Sequence, residues 1–257
     1  INQLQLSHEI IHDLREIKTE KVCAQVNELV NLAHSEEINE VLLWDHSLYD
    51  IDYYPERFRT GPGGTIDLDN TEFWEWLKDD YRQMLDRVSE ADGLVLTFIE
   101  TGAYAERQFS KKMKSSEEKL AAVVNAISDV LIGERKKKLY IRTFAYSEEE
   151  YKGTTGCIEY LKYDEVILMM KETPHDFFLT HPDNYYIQKM DRPVIVEFDL
   201  GNEYSGQGVV ANTWPEHVMK RWNSYIHCPN VTGYVARTDR YGNTSIVTLL
   251  MLSNCTP

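Results

Sequence analysis

Short apolar runs recur along the chain, and helix-length segments with a 3.6-residue apolar period fill most of the intervals between them. Leu4-Gln5-Leu6-Ser7-His8 reads as the end of a first strand. Further strands are expected over 40–46, 93–100 and 138–144, in the runs ending at Lys171 and at Glu203, and over 231–237. The period predicts a helix over 19–34, with Val22, Val26, Leu29, Val30 and Ala33 on one face. A second helix starts at Asp69 or Asn70, either of which can cap it, and runs through Arg87. A third covers 115–132, opened by Ser116 and closed by Gly133. The segment holding Pro55, Gly61, Pro62, Gly63 and Gly64 is too long for a simple turn and reads as a loop.

Strands separated by helices imply a parallel sheet with right-handed crossovers. The expected fold is therefore α/β, a (β/α)8 TIM-type barrel that is incomplete: about seven strands are visible, with the first strand and the last helix missing or altered. No repeat, low-complexity segment or linker interrupts it, so 1–257 reads as a single partial barrel domain. The apolar tail 247–252 is either a short final helix or an end that lacks its natural partner. A start at Ile1 fits either a removed signal peptide or a longer N-terminal region absent from this chain.

Polar residues stand at the ends of these strands. They are His8, Asp45 and His46, Glu100, Arg142, Lys171 with Asp176, Glu203, and Arg237 with Asp239. If the strands are parallel, all fall on the rim where α/β barrels carry their chemistry. Three carboxylates with cations among them suit glycoside hydrolysis, which needs one carboxyl protonated toward the leaving oxygen and another ionised toward water. Each also has a plainer role: Glu100 as a solvated side chain, Asp176 as a turn residue, Arg142 as half of an ion pair, and His46 as a hydrogen-bonded histidine. A metal-dependent barrel using Asp45, His46 and His8 is a rival reading.

Composition narrows the partners. The formal net charge of −15 disfavours non-specific binding to nucleic acid or to an anionic membrane, and no apolar stretch is long enough for a membrane span. Five Trp and sixteen Tyr suit a carbohydrate partner, although core packing accounts for most of them equally well. The cysteines, Cys23, Cys157, Cys228 and Cys255, are scattered with no metal-ligand spacing and read as ordinary thiols.

The order of motifs from about Thr65 to Asp239 resembles the catalytic barrel of the family 67 glycoside hydrolases, the α-glucuronidases that trim xylan side chains. Five segments carry the likeness: Thr65-Ile66-Asp67-Leu68-Asp69, Gly93 through Gly102, Ile141-Arg142-Thr143-Phe144-Ala145-Tyr146, Lys171 through Phe177, and Glu197 through Gly206. Arg237-Thr238-Asp239-Arg240 is similar to the family's final strand. The resemblance implies an inverting, single-displacement reaction without a metal or other cofactor, with Glu100 as general acid and Asp176 and Glu203 positioning and activating water. It implies that Arg142 and Lys171 hold the substrate; Asp45, His46, Tyr204, Arg237 and Asp239 are the further candidates for substrate binding. The family has a lysine shortly before its acid where this chain has Leu96-Thr97-Phe98, so the resemblance leaves glucuronate recognition open. The family's flanking domains have no counterpart in this chain, and the sequence is silent on oligomeric state.

Overall fold

A computed structural model describes residues 1–7, 10–201, 203–204 and 214–238. The described residues form two compact units. The first comprises Ile1–Arg142 and Glu148–Val166, the second Thr143–Ser147 and the chain from Ile167 onward. The fold is α/β of the (β/α)8 TIM-barrel type, with seven parallel strands among the described residues.

In the first unit β1 (Gln3–Leu6), β2 (Glu40–His46), β3 (Gly93–Thr97) and β4 (Lys138–Arg142) pair in parallel and in chain order. A doubly wound sheet reverses its strand order at a switch point; uninterrupted order is the barrel pattern. All seven residues of β2 and all five of β3 are buried, as expected of strands covered on both faces. The register sets His46 beside Thr97 and Thr97 beside Arg142 at the carboxyl ends.

The covering helices are α1 (Glu20–Ser35), α2 (Thr71–Arg87), α3 (Ser116–Ser128) and α4 (Glu148–Gly156). Asn70 caps α2 by accepting the Glu72 N–H at 3.0 Å, while Asp69 is drawn instead to the Ser110 hydroxyl and the Lys111 N–H. One face of α2 buries Phe73, Leu77, Tyr81, Met84 and Leu85. Full burial of such a side chain contributes about 1.5–3 kcal/mol, so Leu77→Ala removes one of the helix's main attachments at about 2–5 kcal/mol. The expected opening of α3 at Ser116 is corrected by one residue. Ser115 is the cap, its hydroxyl accepting the Glu118 N–H while Glu118 accepts the Ser115 N–H, a reciprocal capping box. The α-helix stops at Ser128, and the expected span to Ile132 is completed by a π turn over Asp129–Glu134.

In the second unit β5 (Ile167–Lys171), β6 (Val194–Asp199) and β7 (Val231–Arg237) also pair in parallel and in order, and α5 (Pro215–Tyr225) precedes β7. Lys171 stands beside Glu197, and Asp199 beside Arg237. The strand expected to end at Glu203 ends at Asp199, because that carboxylate accepts the N–H groups of Gly201 and Glu203 and turns the chain. No described helix is long and apolar enough to cross a membrane. The apolar tail 247–252 lies outside the described residues.

Candidate active site

The second unit gathers Lys171, Asp176 and Tyr204 into one hydrogen-bonded group. Lys171 is the last residue of β5 and is almost fully buried. Its ammonium sits 3.3 Å from the centre of the Phe144 ring and 4.2 Å from that of Phe177. An ammonium so desolvated needs a counter-charge, and Asp176 Oδ1 supplies it at 2.5 Å. The loop carrying Asp176 is fixed from below. Asn184 donates its side-chain amide to the Lys171 carbonyl at 2.9 Å, its own N–H reaches the Glu172 carbonyl at 2.9 Å, and Thr173 donates its hydroxyl to the Asp176 carbonyl at 2.9 Å.

Asp176 also accepts the Phe177 N–H at 3.0 Å on Oδ1 and the Tyr204 hydroxyl on Oδ2. Burial pushes its carboxyl up, but the Lys171 charge and these donors outweigh burial and hold it below the ordinary carboxylate range. It is therefore an anion at neutral pH. Oδ1 spends both lone pairs on protein donors, whereas Oδ2 spends one on Tyr204, so a water or a sugar hydroxyl has one acceptor position to use. Tyr204 is pushed up by burial and by its bond to Asp176, and it stays a neutral donor. Its ring packs on Phe178 with centroids 4.2 Å apart, and both rings are 42% exposed. That exposure turns two aromatic faces to solvent beside an anchored carboxylate. Phe178 was not among the sequence candidates; its signal was a second aromatic directly after Phe177 in a polar loop.

Glu203 and Arg237 form an ion pair, and Asp199 holds the Glu203 N–H at 2.8 Å. The Asp199 carboxyl is raised by burial, which those backbone donors and Arg237 only partly offset. Nearby Glu172 is pushed up to about 7 by burial, although Arg221 Nε lies 2.8 Å from it. That Nε–H points to His217 Nε2 at 3.0 Å, so Glu172 gains the charge without the hydrogen bond.

The remaining candidates lie in the first unit. Glu100 is exposed, two residues beyond the loop residue Phe98 that follows β3, and it holds a left-handed backbone at φ 61°. That conformation costs a residue with a Cβ about 1–2 kcal/mol and persists only where its surroundings impose it. They do so here. Thr101 donates its hydroxyl to the Leu48 carbonyl, and Gly102 lies so close to Asp50 that a Cβ would fall 2.6 Å from its backbone nitrogen. Arg142 is buried with its guanidinium 5.1 Å over the Trp44 ring.

Asp45 has protein donors on both carboxylate oxygens. It is fully buried; one oxygen accepts the Leu14 N–H at 3.0 Å and the Tyr49 hydroxyl at 2.8 Å, the other the Tyr81 hydroxyl at 2.6 Å. Burial raises it to about 6 against these three donors. In this fold Asp45, a substrate-binding candidate by sequence, joins β2 to α2 and to the segment after β1. His46, one residue on, turns the other way and meets Asp13 at 2.6 Å through Nδ1. Asp239 and His8 lie outside the described residues.

No protein-family model and no curated protein matches this sequence. Solved structures match its fold. A GH138 enzyme targeting pectin rhamnogalacturonan II aligns over 92% of this chain at TM-score 0.54 and 12% identity, and this chain spans only 28% of that enzyme's length. A xylanase and α-amylase inhibitor protein in complex with trehalose aligns over 89% of this chain and 79% of its own, at TM-score 0.52 and 13% identity. At such identities the likeness is one of fold, and that fold is one that carbohydrate-directed proteins use.

Proposed function

We propose that this chain is the barrel of a glycoside hydrolase, α-glucuronidase-like, that cleaves a glycosidic bond in a glycan or oligosaccharide with inversion. Glu100 acts as the acid, Asp176 and Glu203 position and activate water, and Lys171, Arg142, Tyr204 and Arg237 hold the sugar. The observation that carries the reading is Asp176: a carboxylate kept ionised by Lys171, with one acceptor position open, beside the exposed Phe178–Tyr204 ring pair. A sugar ring presents C–H faces to aromatic rings and hydroxyls to carboxylates, and this surface offers both. Glu203 and Arg237 bring a second carboxylate–cation pair from the ends of β6 and β7.

The test is a panel of aryl-glycosides and uronic-acid oligosaccharides with the anomer of the first product followed by NMR. Inverted product from the parent, with turnover lowered about 100-fold or more by Asp176→Asn, is the expected result. Glu100→Ala should cripple substrates with poor leaving groups and spare activated aryl-glycosides, because a good leaving group needs little protonation. Retained configuration, or full turnover in Asp176→Asn, overturns the assignment. A second reading, a carbohydrate-binding barrel without turnover, is favoured by the inhibitor protein seen with trehalose, whose length this chain nearly matches. Saturable oligosaccharide binding with no hydrolysis of any substrate in the panel would establish it instead.

A further inference from the structure

In the first unit, away from Asp176 in sequence and in chemistry, two histidines and an aspartate meet. His46 closes β2; His12 and Asp13 lie in the segment between β1 and α1. Each of the three can offer a nitrogen or carboxylate oxygen within 4.8 Å of the other two. The rings of His12 and His46 stand 4.4 Å apart between centroids.

The protonation pattern follows from the contacts. Asp13 Oδ1 is 2.6 Å from His46 Nδ1, so that nitrogen carries the proton and donates it to the carboxylate. In the neutral imidazole the lone pair of His46 is then on Nε2. His46 is only 1% exposed, and its Nε2 has no hydrogen-bond partner among the described residues. A buried acceptor left without a donor costs about 1–3 kcal/mol, and native interiors rarely tolerate it without a reason. A Nδ1–H held by a carboxylate with Nε2 left bare is how proteins prepare an imidazole to ligate a metal; the carboxylate fixes the tautomer and raises the nitrogen's basicity. Asp13 is itself held by Arg15, which lies 2.9 Å from the other oxygen, Oδ2. His12 is exposed, so an ion has a route in from solvent.

We propose that His12 and His46 bind a divalent first-row transition ion, with Asp13 holding His46 in register and supplying the balancing charge. Imidazole nitrogens beside one carboxylate suit zinc, cobalt or manganese and not the hard, all-oxygen preferences of magnesium or calcium. So few protein donors leave coordination positions for water or a ligand oxygen, the arrangement of an open site. The inference is independent of the hydrolase reading, since it concerns binding alone.

The experiment is titration of the full chain, stripped with chelator, with Zn2+ by calorimetry and with Co2+ by its visible ligand-field absorption. Mg2+ and Ca2+ serve as controls. One equivalent of Zn2+ and of Co2+ should bind, the cobalt spectrum should show nitrogen ligation, and Mg2+ and Ca2+ should compete weakly or not at all. His12→Ala is at an exposed position and keeps the fold; it should abolish the stoichiometric binding. Asp13→Asn should weaken it about 10–100-fold, as loss of a carboxylate behind a metal-bound imidazole does. Circular dichroism of both variants separates lost binding from lost structure. Absence of stoichiometric Zn2+ or Co2+ binding in the parent overturns the proposal, as does binding that survives His12→Ala unchanged.

Discussion

Asp45 offers the sharpest stability test, because its environment fixes both the size and the pH dependence of the effect. The carboxyl is fully buried among Leu14, Tyr49 and Tyr81, and burial raises it from an ordinary 3.8 to about 6 in the fold. At about 1.36 kcal/mol per tenfold change in proton affinity, that difference amounts to about 3 kcal/mol. The direction follows from linkage. Between its unfolded and folded values the folded state binds more protons at this site, so the group's contribution is fully present below the unfolded value and lost as pH rises through about 6. Replacing Asp45 by Asn removes the titration and leaves a group of the same shape. The amide nitrogen then faces a tyrosine hydroxyl that must rotate from donor to acceptor, a pH-independent cost of about 1–3 kcal/mol.

Asp45→Asn should thus be less stable than the parent at pH 4 and close to it, or better, at pH 7, with the gap closing by about 2 kcal/mol across that interval. Urea unfolding of both proteins at half-unit pH steps reads this directly as a difference curve. Tyr81→Phe strips a donor that favours the ionised form, so the loss of stability on going alkaline should then extend to higher pH than in the parent. A difference between Asp45→Asn and the parent that stays constant from pH 4 to pH 8 would refute the reasoning, since it would mean that Asp45 titrates as an ordinary carboxyl.

Lys171→Met leaves Asp176 partly buried without its counter-charge and should cost about 3–5 kcal/mol, while Lys171→Met combined with Asp176→Asn should recover a large part; a double-mutant cycle by denaturant unfolding measures the coupling. Because Asp176 is held below the ordinary carboxylate range, the parent's share of that coupling should be present above about pH 4 and lost as pH falls through the folded value, so a coupling unchanged at pH 3 would count against it. Glu100→Gly relieves the left-handed backbone and should raise stability by about 0.5–1 kcal/mol, after glycine's own entropic cost, while removing the proposed acid; a melting temperature that falls would show that the Glu100 side chain contributes more than its backbone costs.

The fold was legible from the sequence to the extent that local physics decides it. Strands 40–46 and 231–237 appear with those bounds, because each is rich in apolar, β-branched or aromatic residues and ends at a polar side chain. Errors fall where a side chain captures backbone. Asp199 ends β6 early by taking two N–H groups, and the exchange with Glu118 makes Ser115 the cap of α3. The same limit governs the sites. Lys171 and Asp176 stand out as polar residues at and just past a strand end, and Tyr204 only as a further substrate-binding candidate. Asp45 and His46 were read as a pair sharing one role, although adjacent strand residues point to opposite faces. Only one of them could face the interior of the sheet; Asp45 reaches Tyr81 on α2, and His46 reaches His12 and Asp13. The meeting of His12 with His46 depends on how the chain returns after β1, which no local pattern encodes.

Asp45 and Asp176 show why strand-end position alone does not assign chemistry. Both are aspartates placed by a strand of the same parallel architecture, both are withdrawn from water, and both accept a backbone N–H and a tyrosine hydroxyl. They are nonetheless displaced in opposite directions, Asp45 upward and Asp176 downward. Two things differ: Asp176 has an ammonium beside it, and its burial is partial where that of Asp45 is complete. Hydroxyl and amide dipoles cannot repay the desolvation of a fully buried carboxylate, whereas the Lys171 charge at 2.5 Å can. The charge also has to be kept from water for its effect to last, and Phe144 and Phe177 do this by flanking the ammonium. A carboxylate meant to stay ionised in a desolvated site therefore needs a buried cation beside it and an open lone pair. Asp176 has both, whereas Asp45 lacks the cation and is sealed from solvent, which is why the proposed chemistry is placed at the end of β5 and not at the end of β2.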